Sequence, residues 1–342
     1  MGQQEQSLDY RWQSMHQTLT DPYGRTFSYI RLSITDRCNF KCHYCLPNGY
    51  QCTPEQEQHM SLDEIKRLVD ALDDLGIKKI RITGGEPTLR PDFLKIAEFI
   101  ARKPNIETIA LTTNGFRLKQ RIQSYYDAGI NHLNVSIDSL NPSTFQAVTQ
   151  MKGLEGILEG LNLALELPFS RIKVNTVLLR NINDDSLDSF TEWIRHRPIS
   201  IRFIELMRAA DNKSYFEKHH VRASEVKNSL LDQGWSIKPR EKNSGPAVEL
   251  SHPSYQGSIG FIEPYSKDFC STCNRLRITS RGELRLCLFG NANHSLRPHL
   301  QSSEDKAHLI AKIHELLGIK ERSHHLQEGN YGITKHFASI GG

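Results

Sequence analysis

Three closely spaced cysteines are the residues of this sequence with the clearest chemical potential. Cys38, Cys42 and Cys45 stand in the segment DRCNFKCHYC, and three thiolates at such short spacing can bind one compact metal centre. A structural zinc site would need a fourth protein ligand, and Cys52 is available for that role. An iron–sulfur cubane held by three thiolates would instead keep one iron without a protein ligand. At this point both interpretations stay open.

A second triplet, in FCSTCNRLRITSRGELRLC near the other end of the chain, consists of Cys270, Cys273 and Cys287. Its spacing fits a zinc ribbon completed by His294 or another histidine as well as it fits a cluster. Arg275 and Arg277 lie beside these thiols in the sequence. Two forked, permanently charged guanidinium groups favour the binding of an anion there.

Six β-rich runs separated by helical patterns must position these residues. They are Tyr29–Thr35, Lys78–Thr83, Thr108–Thr113, His132–Asp138, Arg171–Leu179 and Ser200–Leu206. Repeated βα units predict a parallel sheet with helices outside it, as an open doubly wound sheet or as a partial barrel. Polar residues at every second position of several strands favour the barrel, because they predict a polar interior cavity. We therefore predict an α/β fold built on a partial (β/α)6 TIM-like barrel.

The helical patterns carry their own start signals. The segment Ser61–Leu75 begins with Ser61 and Glu64 at the spacing of a capping box. The next helix is predicted to begin at Pro91, because proline suits the first helical position. Since the loops after barrel strands form the working face, the first cysteine triplet is predicted to lie at the barrel mouth.

After Met207 the rhythm changes to short strands and isolated helices, without an obvious flexible linker. We predict three parts: an N-terminal arm of residues 1–28, a barrel of residues 29–210 with the first triplet, and a C-terminal domain of residues 211–342. The last part is expected to be an α+β extension that closes the barrel mouth and carries the second triplet and a Gly341–Gly342 tail.

Composition narrows the class of protein. The chain has 342 residues, enough for about two domains. A formal net charge of +4 is too small to indicate general nucleic-acid binding but allows an anionic small ligand. No apolar run approaches the roughly 20 residues of a membrane span, and the polar start does not read as a secretory signal. We predict a cytoplasmic protein whose reduced, clustered cysteines act as metal ligands.

The segment CNFKCHYC together with Thr83–Pro87 (TGGEP) resembles the radical S-adenosylmethionine (SAM) superfamily. The resemblance implies a radical SAM type of barrel with a [4Fe–4S] cluster on Cys38, Cys42 and Cys45. The open iron would chelate SAM, whose cleavage gives a 5′-deoxyadenosyl radical. The implied SAM contacts are Tyr44, Gly85, Ser136 and Met207.

The second triplet with Asn274–Arg277 (NRLR) narrows the resemblance to the GTP 3′,8-cyclase family, which begins molybdenum cofactor biosynthesis. The similarity runs from about Ile30 to the C-terminus, through stretches such as IRLSITDRCNF, KIRITGGEP and IRFIELM. It implies a second [4Fe–4S] cluster, on Cys270, Cys273 and Cys287, whose open iron meets the guanine of GTP. The implied GTP contacts are Arg31, Arg81, Thr112, Lys173, Arg275, Leu276 through its backbone and Arg277, with Arg202 as an addition.

The resemblance also implies the reaction and its partners. The radical would remove hydrogen from C3′ of GTP, and C3′ would bond to C8, giving (8S)-3′,8-cyclo-7,8-dihydroguanosine 5′-triphosphate. Gly341 and Gly342 would reach into the active site and be needed for turnover, while no general acid is assigned. The implied partners are a low-potential donor such as flavodoxin or ferredoxin and the next-step cyclic pyranopterin monophosphate synthase. We expect a monomer or homodimer that binds neither nucleic-acid polymers nor membranes.

Two other functions fit part of the sequence. Another radical SAM enzyme with an auxiliary cluster, such as a peptide-modifying enzyme, would usually carry more C-terminal cysteines. A non-catalytic iron–sulfur or zinc protein would have no use for the GGEP segment. Cys52 matches no cluster position of the family and is interpreted as a spare thiol.

Overall fold

The computed structural model describes residues 18–51, 58–240, 244–334 and 337–340. Cys52, Gly341 and Gly342 lie outside the described residues, and so does most of the predicted N-terminal arm, residues 1–17. The predictions made for these positions therefore stay predictions. Within the described ranges, no helix combines the length and the apolar character needed to cross a bilayer.

Six parallel strands that neighbour one another in chain order form the centre of the fold. They are β1 (Tyr29–Ser33), β2 (Lys79–Thr83), β3 (Thr108–Thr113), β4 (His132–Ser136), β5 (Arg171–Leu178) and β6 (Ser200–Glu205). At least one helix follows each strand. The predicted series of six βα units and the α/β partial-barrel class are confirmed.

The helices that follow the first five strands are α1 (Leu62–Asp74), α2 (Phe93–Ala101), α3 (Leu118–Asp127), α4 (Pro142–Thr149), α5 (Leu154–Glu166) and α6 (Leu187–Trp193). The capping box at the start of α1 is confirmed, with Ser61 and Glu64 bonded reciprocally. The predicted start of α2 at Pro91 is wrong. A backbone hydrogen bond from Phe93 to the carbonyl of Arg90 closes a turn there, and the Arg90 side chain is held by the carbonyl of Ile34. The chain therefore enters the helix two residues later.

The C-terminal part contributes α7 (Lys213–His219), α8 (Ala223–Asp232), β7 (Ser236–Ile237), β8 (Val248–Ser251), β9 (Ser258–Ile262), β10 (Arg275–Ile278), β11 (Glu283–Arg285), β12 (His294–Ser295) and α9 (Lys306–Leu317). Strand β9 pairs with β6 and strand β10 pairs with β1, both in parallel. The result is one twelve-stranded sheet in the order β12-β11-β10-β1-β2-β3-β4-β5-β6-β9-β8-β7. The C-terminal part thus extends both edges of the barrel sheet.

The two faces of the barrel strands carry different residues. On β1, Ile30 and Leu32 are fully buried, whereas Arg31 between them faces a cavity. Strand β2 repeats the pattern around Arg81. Burial of each such Ile or Leu stabilises the fold by about 1.5–3 kcal/mol, so a one-residue slip of register would be costly. The apolar rows therefore hold the polar rows on the inner face.

The described end of the predicted N-terminal arm packs on the rest of the chain. Leu19 and Phe27 are buried, and Arg25 donates to the carbonyl of Cys270 at 3.0 Å. The division of the chain at residues 28 and 210 stays a prediction.

Candidate functional site

A cavity of about 530 Å³ lies against the inner face of the sheet. Residues from all six barrel strands line it, and so do both cysteine triplets. Every predicted SAM and GTP contact among the described residues lines it as well, except Leu276. The fold therefore brings together at this cavity residues that are up to about 310 positions apart in the sequence.

The first cysteine triplet lies in the loop after β1, at the carboxyl ends of the barrel strands. Burial raises the pKa of Cys38 to about 11 and that of Cys45 to about 12, and it raises the pKa of Cys42 well above the ordinary value. The thiols also act on one another, since a charge on one disfavours a charge on the next. A cationic metal centre reverses this balance and favours the thiolates, so the donor set fits an iron–sulfur cluster.

The turn after β2 packs directly against the backbone that leads into this loop. The amide of Gly85 donates to the carbonyl of Thr35 at 2.9 Å. A Cβ at Gly84 would clash with that carbonyl, and one at Gly85 would clash with the carbonyl of Arg37. The two glycines are therefore required for a close approach of two backbone segments. Gly85 lines the cavity as well.

The buried carboxylate of Glu86 ties this turn to the end of β3. Its Oε1 accepts from Oγ1 of Thr88 at 2.6 Å and from Oγ1 of Thr113 at 2.9 Å, and its Oε2 accepts from the Asn114 amide at 2.7 Å. Burial raises the pKa of Glu86, although these hydrogen bonds oppose the rise. The side chain of Asn114 lies 3.9 Å from Sγ of Cys38. By holding the backbone N–H of Asn114, Glu86 thus positions the side-chain amide of Asn114 beside the thiol of Cys38.

The predicted SAM contacts lie around the same end of the cavity. Ser136 ends β4, Met207 follows β6, and Tyr44 stands between two of the cysteines in the first loop. The Tyr44 hydroxyl donates to Oδ2 of Asp138 at 2.9 Å. Burial raises the pKa of Asp138 to about 6. Asp138 therefore holds the ring of Tyr44 at the cavity wall.

The second triplet lies at the opposite, amino ends of the strands. Cys270 and Cys273 precede β10, which runs parallel to β1, and Cys287 follows the antiparallel strand β11. Burial would raise the pKa of Cys273, but Arg275 and Lys320 lower it below its ordinary value. Burial raises the pKa of Cys270. The two triplets therefore face one cavity from its two ends.

Histidines differ in their relation to the second triplet. His294 lies in β12 and is not part of the cavity wall, whereas His324 lines the cavity and its backbone amide contacts Cys270. Nδ1 of His324 accepts from the Leu326 amide at 3.0 Å, and its Nε2 is buried. Within those residues, no three Cys, His, Asp or Glu side chains form a ready single-ion site. The zinc alternative therefore depends on His324.

The cavity wall between the triplets carries a concentration of cations. They are Arg31, Lys79, Arg81, Arg171, Lys173, Arg202, Arg275 and Arg277. Burial and the neighbouring Arg202 lower the pKa of Lys173 to about 5, and burial and Arg31 lower the pKa of Arg277 well below its ordinary value. Crowded, desolvated cations are costly unless an anion joins them, so this wall suits a polyanion. Strand β1 spans about 13 Å at 3.3 Å per residue, which gives room for a nucleotide between the ends.

Several residues of this wall were missed by the sequence analysis. Tyr29, Lys79 and Arg171 each lie two positions before a predicted contact on the same strand, so the period of two could have identified them. Glu249 carried no such signal. It reaches Arg202 from β8 because Gly260 is the residue between them in the strand register. Oε1 of Glu249 lies 2.8 Å from Nη2 of Arg202.

The C-terminal segment 337–340 contacts both the cationic wall and the first triplet. The carbonyl of Ile340 accepts from Nη1 of Arg277 at 3.1 Å, and the Ala338 amide contacts the thiol of Cys45. The side chain of Leu276 is fully buried on the outer face of β10, so the predicted contact there is left to its backbone.

Comparisons with known proteins agree with this architecture. A family model of the Radical SAM superfamily matches residues 32–194, and one described as Molybdenum Cofactor Synthesis C matches residues 199–326. The solved structure of Streptococcus suis SuiB bound to S-adenosylmethionine has a TM-score of 0.58 and 13% identity to this chain. The match covers 79% of this chain and 63% of SuiB, and at this identity it shows the fold alone. The fold, the site and the family model define a radical SAM enzyme, with SAM and a [4Fe–4S] cluster as cofactors.

Relatives identify the family more narrowly. A GTP 3′,8-cyclase of Stenotrophomonas maltophilia is 50% identical over 324 residues, covering 95% of this chain and 99% of the relative. One of Psychromonas ingrahamii is 49% identical, covering 96% of this chain and 97% of the relative. One of Vibrio vulnificus is 46% identical, covering 96% and 99%. The chain belongs to the GTP 3′,8-cyclase family.

Proposed function

We propose that this chain converts GTP into (8S)-3′,8-cyclo-7,8-dihydroguanosine 5′-triphosphate, the first step of molybdenum cofactor biosynthesis. The observation that carries the proposal is one cavity with a thiol triplet at each end and buried cations between them. Radical chemistry on a nucleoside triphosphate requires a metal-bound radical source and a polyanion site within one water-poor chamber.

The carboxyl end of the cavity is assigned to the radical source. When bound, SAM and a [4Fe–4S] cluster on the first triplet supply a 5′-deoxyadenosyl radical that takes the hydrogen from C3′ of GTP. We assign SAM contacts to Tyr44, Gly85, Ser136 and Met207, which line the wall beside this triplet. Asp138 holds Tyr44 in place through its 2.9 Å hydrogen bond.

The cationic wall is assigned to the triphosphate. Arg31, Arg81, Lys173 and Arg202 each face the cavity from a barrel strand, and all but the half-buried Arg31 are buried. Permanently charged guanidinium groups suit phosphate oxygens, and Lys173 gains a proton when a polyanion binds beside it. Thr112 accepts from Nη1 of Arg81 at 2.9 Å, so it orients that guanidinium as well as lining the cavity. Several fixed charges hold the ribose at a defined depth, which selects the carbon that reacts.

The amino end is assigned to guanine and to a second [4Fe–4S] cluster on Cys270, Cys273 and Cys287. Arg275, Arg277 and the Leu276 backbone lie on β10, which follows directly after the first two of these thiols. Anaerobically reconstituted protein should then hold about eight irons, as two cubanes. Four irons with one zinc, and loss of that zinc in His324→Ala, would support the ribbon alternative instead.

The partners follow from the electron count. One electron starts the radical reaction and a second, with a proton, reduces the cyclised radical, so a low-potential donor is required; we propose flavodoxin or ferredoxin. We propose that the product passes to cyclic pyranopterin monophosphate synthase. We also propose that residues 29–210 form the barrel domain and residues 211–342 the covering domain. Gly341 and Gly342 complete the active site in this proposal. The enzyme is proposed to be a cytoplasmic monomer or homodimer.

The test is an anaerobic assay with SAM, dithionite and each of the four ribonucleoside triphosphates in turn. GTP alone should yield 5′-deoxyadenosine together with a new nucleotide. Because one hydrogen leaves C3′ and one is added on reduction, the product has the mass of GTP and must be separated by chromatography. Formation of 5′-deoxyadenosine without any change in GTP, or cyclisation of another nucleotide, would refute the proposal.

A further inference from the structure

Tyr29 lies among the cations of the wall, in register with Lys79 on β2 and Arg275 on β10. It is the first residue of β1, its side chain is buried, and it lines the cavity. Its hydroxyl oxygen accepts from Nε of Arg81 at 2.5 Å. The ammonium of Lys79 lies 5.1 Å from the centre of the Tyr29 ring. A phenol is thus packed where a polyanion site would be expected to carry only cations and neutral groups.

Charged groups from four strands act on this phenol. They are Arg31 on β1 itself, Lys79 and Arg81 on β2, Arg202 on β6 and Arg277 on β10. Burial alone would raise the pKa of Tyr29, but Arg81, Arg31 and Lys79 lower it to about 6. The charged groups named here are all cations, so together they favour the phenolate.

On the other side of the wall, an acidic side chain pairs with the cations. There Glu249 pairs with Arg202 at 2.8 Å and with Lys173 at 3.7 Å. Arg81 instead donates to Tyr29 and to the neutral hydroxyl of Thr112. Within the described residues, Tyr29 is therefore the acidic group in hydrogen-bond contact with Arg81.

We propose that Tyr29 is an internal counter-ion of the nucleotide site: in the absence of nucleotide its phenolate holds Arg81, and it takes up a proton from solvent when a polyphosphate binds. The inference rests on the proposed function, since it requires the GTP triphosphate to bind at these cations. The phosphate oxygens take over the guanidinium and repel a second anion beside them. The phenol pKa then returns towards its ordinary value of about 10, and the O–H bond forms with a solvent proton.

Calorimetry of GTP binding to the reconstituted enzyme, without SAM or reductant, measures this proton. Titrations at about pH 7.5 in two buffers of different ionisation enthalpy give the number of protons taken up. A phenol with a pKa of about 6 is about 97% ionised at that pH. The variant Tyr29→Phe should therefore take up about one proton fewer per GTP than the wild type. Protons taken up by Lys173 or released by the γ-phosphate contribute equally in both proteins and cancel. Lys79 does not cancel, because burial lowers its pKa to about 8 while Tyr29 raises it, so both proteins carry Lys79→Arg in this comparison.

A matched control is available in Tyr255, whose hydroxyl accepts from Nη2 of Arg195 at 3.0 Å and does not line the cavity. Tyr255→Phe removes the same kind of tyrosine–arginine bond and should take up as many protons as the wild type.

The pH dependence of affinity separates the proposal from a merely structural role. Each proton taken up on binding makes affinity fall about tenfold per unit rise in pH. Between about pH 7 and 8.5 the wild type should lose affinity more steeply than Tyr29→Phe, by about one factor of ten per pH unit. A phenol that only packs would lower affinity equally at every pH.

A wild-type measurement keeps the proposal testable if Tyr29→Phe does not fold. Inorganic tripolyphosphate absorbs no near-ultraviolet light, and its binding should remove the phenolate absorbance of one tyrosine. No such loss, or equal proton uptake by wild type and Tyr29→Phe, would overturn the inference and leave the proposed function standing. Failure of the wild type to bind GTP at all would instead refute the proposed function.

Discussion

Replacement of Lys173 by methionine tests the electrostatics of the cavity most directly. The substitution Lys173→Met keeps a long apolar stem and removes one ammonium group. The side chain is 5% exposed, and its Nζ lies 3.7 Å from Oε1 of Glu249. Few other changes of this wall would disturb packing so little while removing a charge.

The size of the effect follows from two opposing terms. Burial and Arg202 lower the pKa of Lys173 to about 5, so protonation at about pH 7.5 costs about 3 kcal/mol. A phosphate charge about 4 Å away returns about 4 kcal/mol at an effective dielectric constant of about 20. Because a triphosphate carries several charges, its attraction exceeds the cost of protonation, and Lys173 is protonated when GTP is bound. We expect Lys173→Met to weaken GTP binding by about 1–3 kcal/mol, or roughly 5- to 150-fold.

Anaerobic calorimetry with GTP and with SAM, each alone, measures this effect. SAM affinity should stay within about twofold of the wild type, because SAM is assigned to the other end of the cavity. Lys78→Met is the matched control: Lys78 is 38% exposed and pairs with Glu107 at 3.3 Å on the surface. It should change GTP affinity less than about threefold, as exposed ion pairs contribute little. Unchanged GTP binding in Lys173→Met, or an equal loss of SAM binding, would refute the assignment.

Three further changes probe other parts of the chain. Cys270→Ala should spare reductive formation of 5′-deoxyadenosine from SAM but abolish the cyclised nucleotide, and chromatographic detection of that nucleotide in the variant would contradict the role given to the second triplet. Gly85→Ala should lose SAM cleavage and lower the thermal midpoint, because its Cβ would clash with a backbone carbonyl. Gly156 lies in open space on α5, so the control Gly156→Ala should raise the free energy of unfolding by about 0.5–1 kcal/mol. Burial of Glu64 would raise its pKa, but the hydrogen bond with Arg297 outweighs this and lowers the pKa to about 2. The ionised carboxylate therefore stabilises the fold fully above its unfolded pKa of about 4.3. This stabilisation is lost as the pH falls towards about 2. Glu64→Gln should therefore lower the urea-measured free energy of unfolding by about 1–3 kcal/mol at neutral pH, with the difference closing near pH 2; an equal difference at both pH values would contradict this linkage.

Local signals predicted the central elements of the fold well. The six barrel strands lie where the β-rich runs are, because the alternation of apolar and polar residues leaves each strand one buried face. The capping box at Ser61 places the start of α1 for a similarly local reason. Where local and tertiary forces compete, the prediction was wrong, as at Pro91, where contacts of Arg90 with a distant loop delay the start of α2.

The chemical character of the candidate site could be predicted from the sequence, but only some of its residues could. Arg81 and Lys173 could be found because charged residues inside buried strands demand a reason. Tyr29 was overlooked because a tyrosine at the start of a strand is ordinary, and only the cations packed around it give its phenol an acidic pKa. Glu249 was beyond reach, since its pairing with Arg202 depends on the register of an edge strand.

By itself, the order of residues determined the βα rhythm, the thiol spacings and the rows of charge within strands, since all of these depend on neighbours a few positions apart. Tertiary structure alone decided that β10 pairs with β1 and β9 with β6, and therefore that the second triplet lies at the amino ends of the strands, across the cavity from the first. Such pairings join segments up to about 250 residues apart, and their energy comes from packing and hydrogen bonding between surfaces that no local pattern describes.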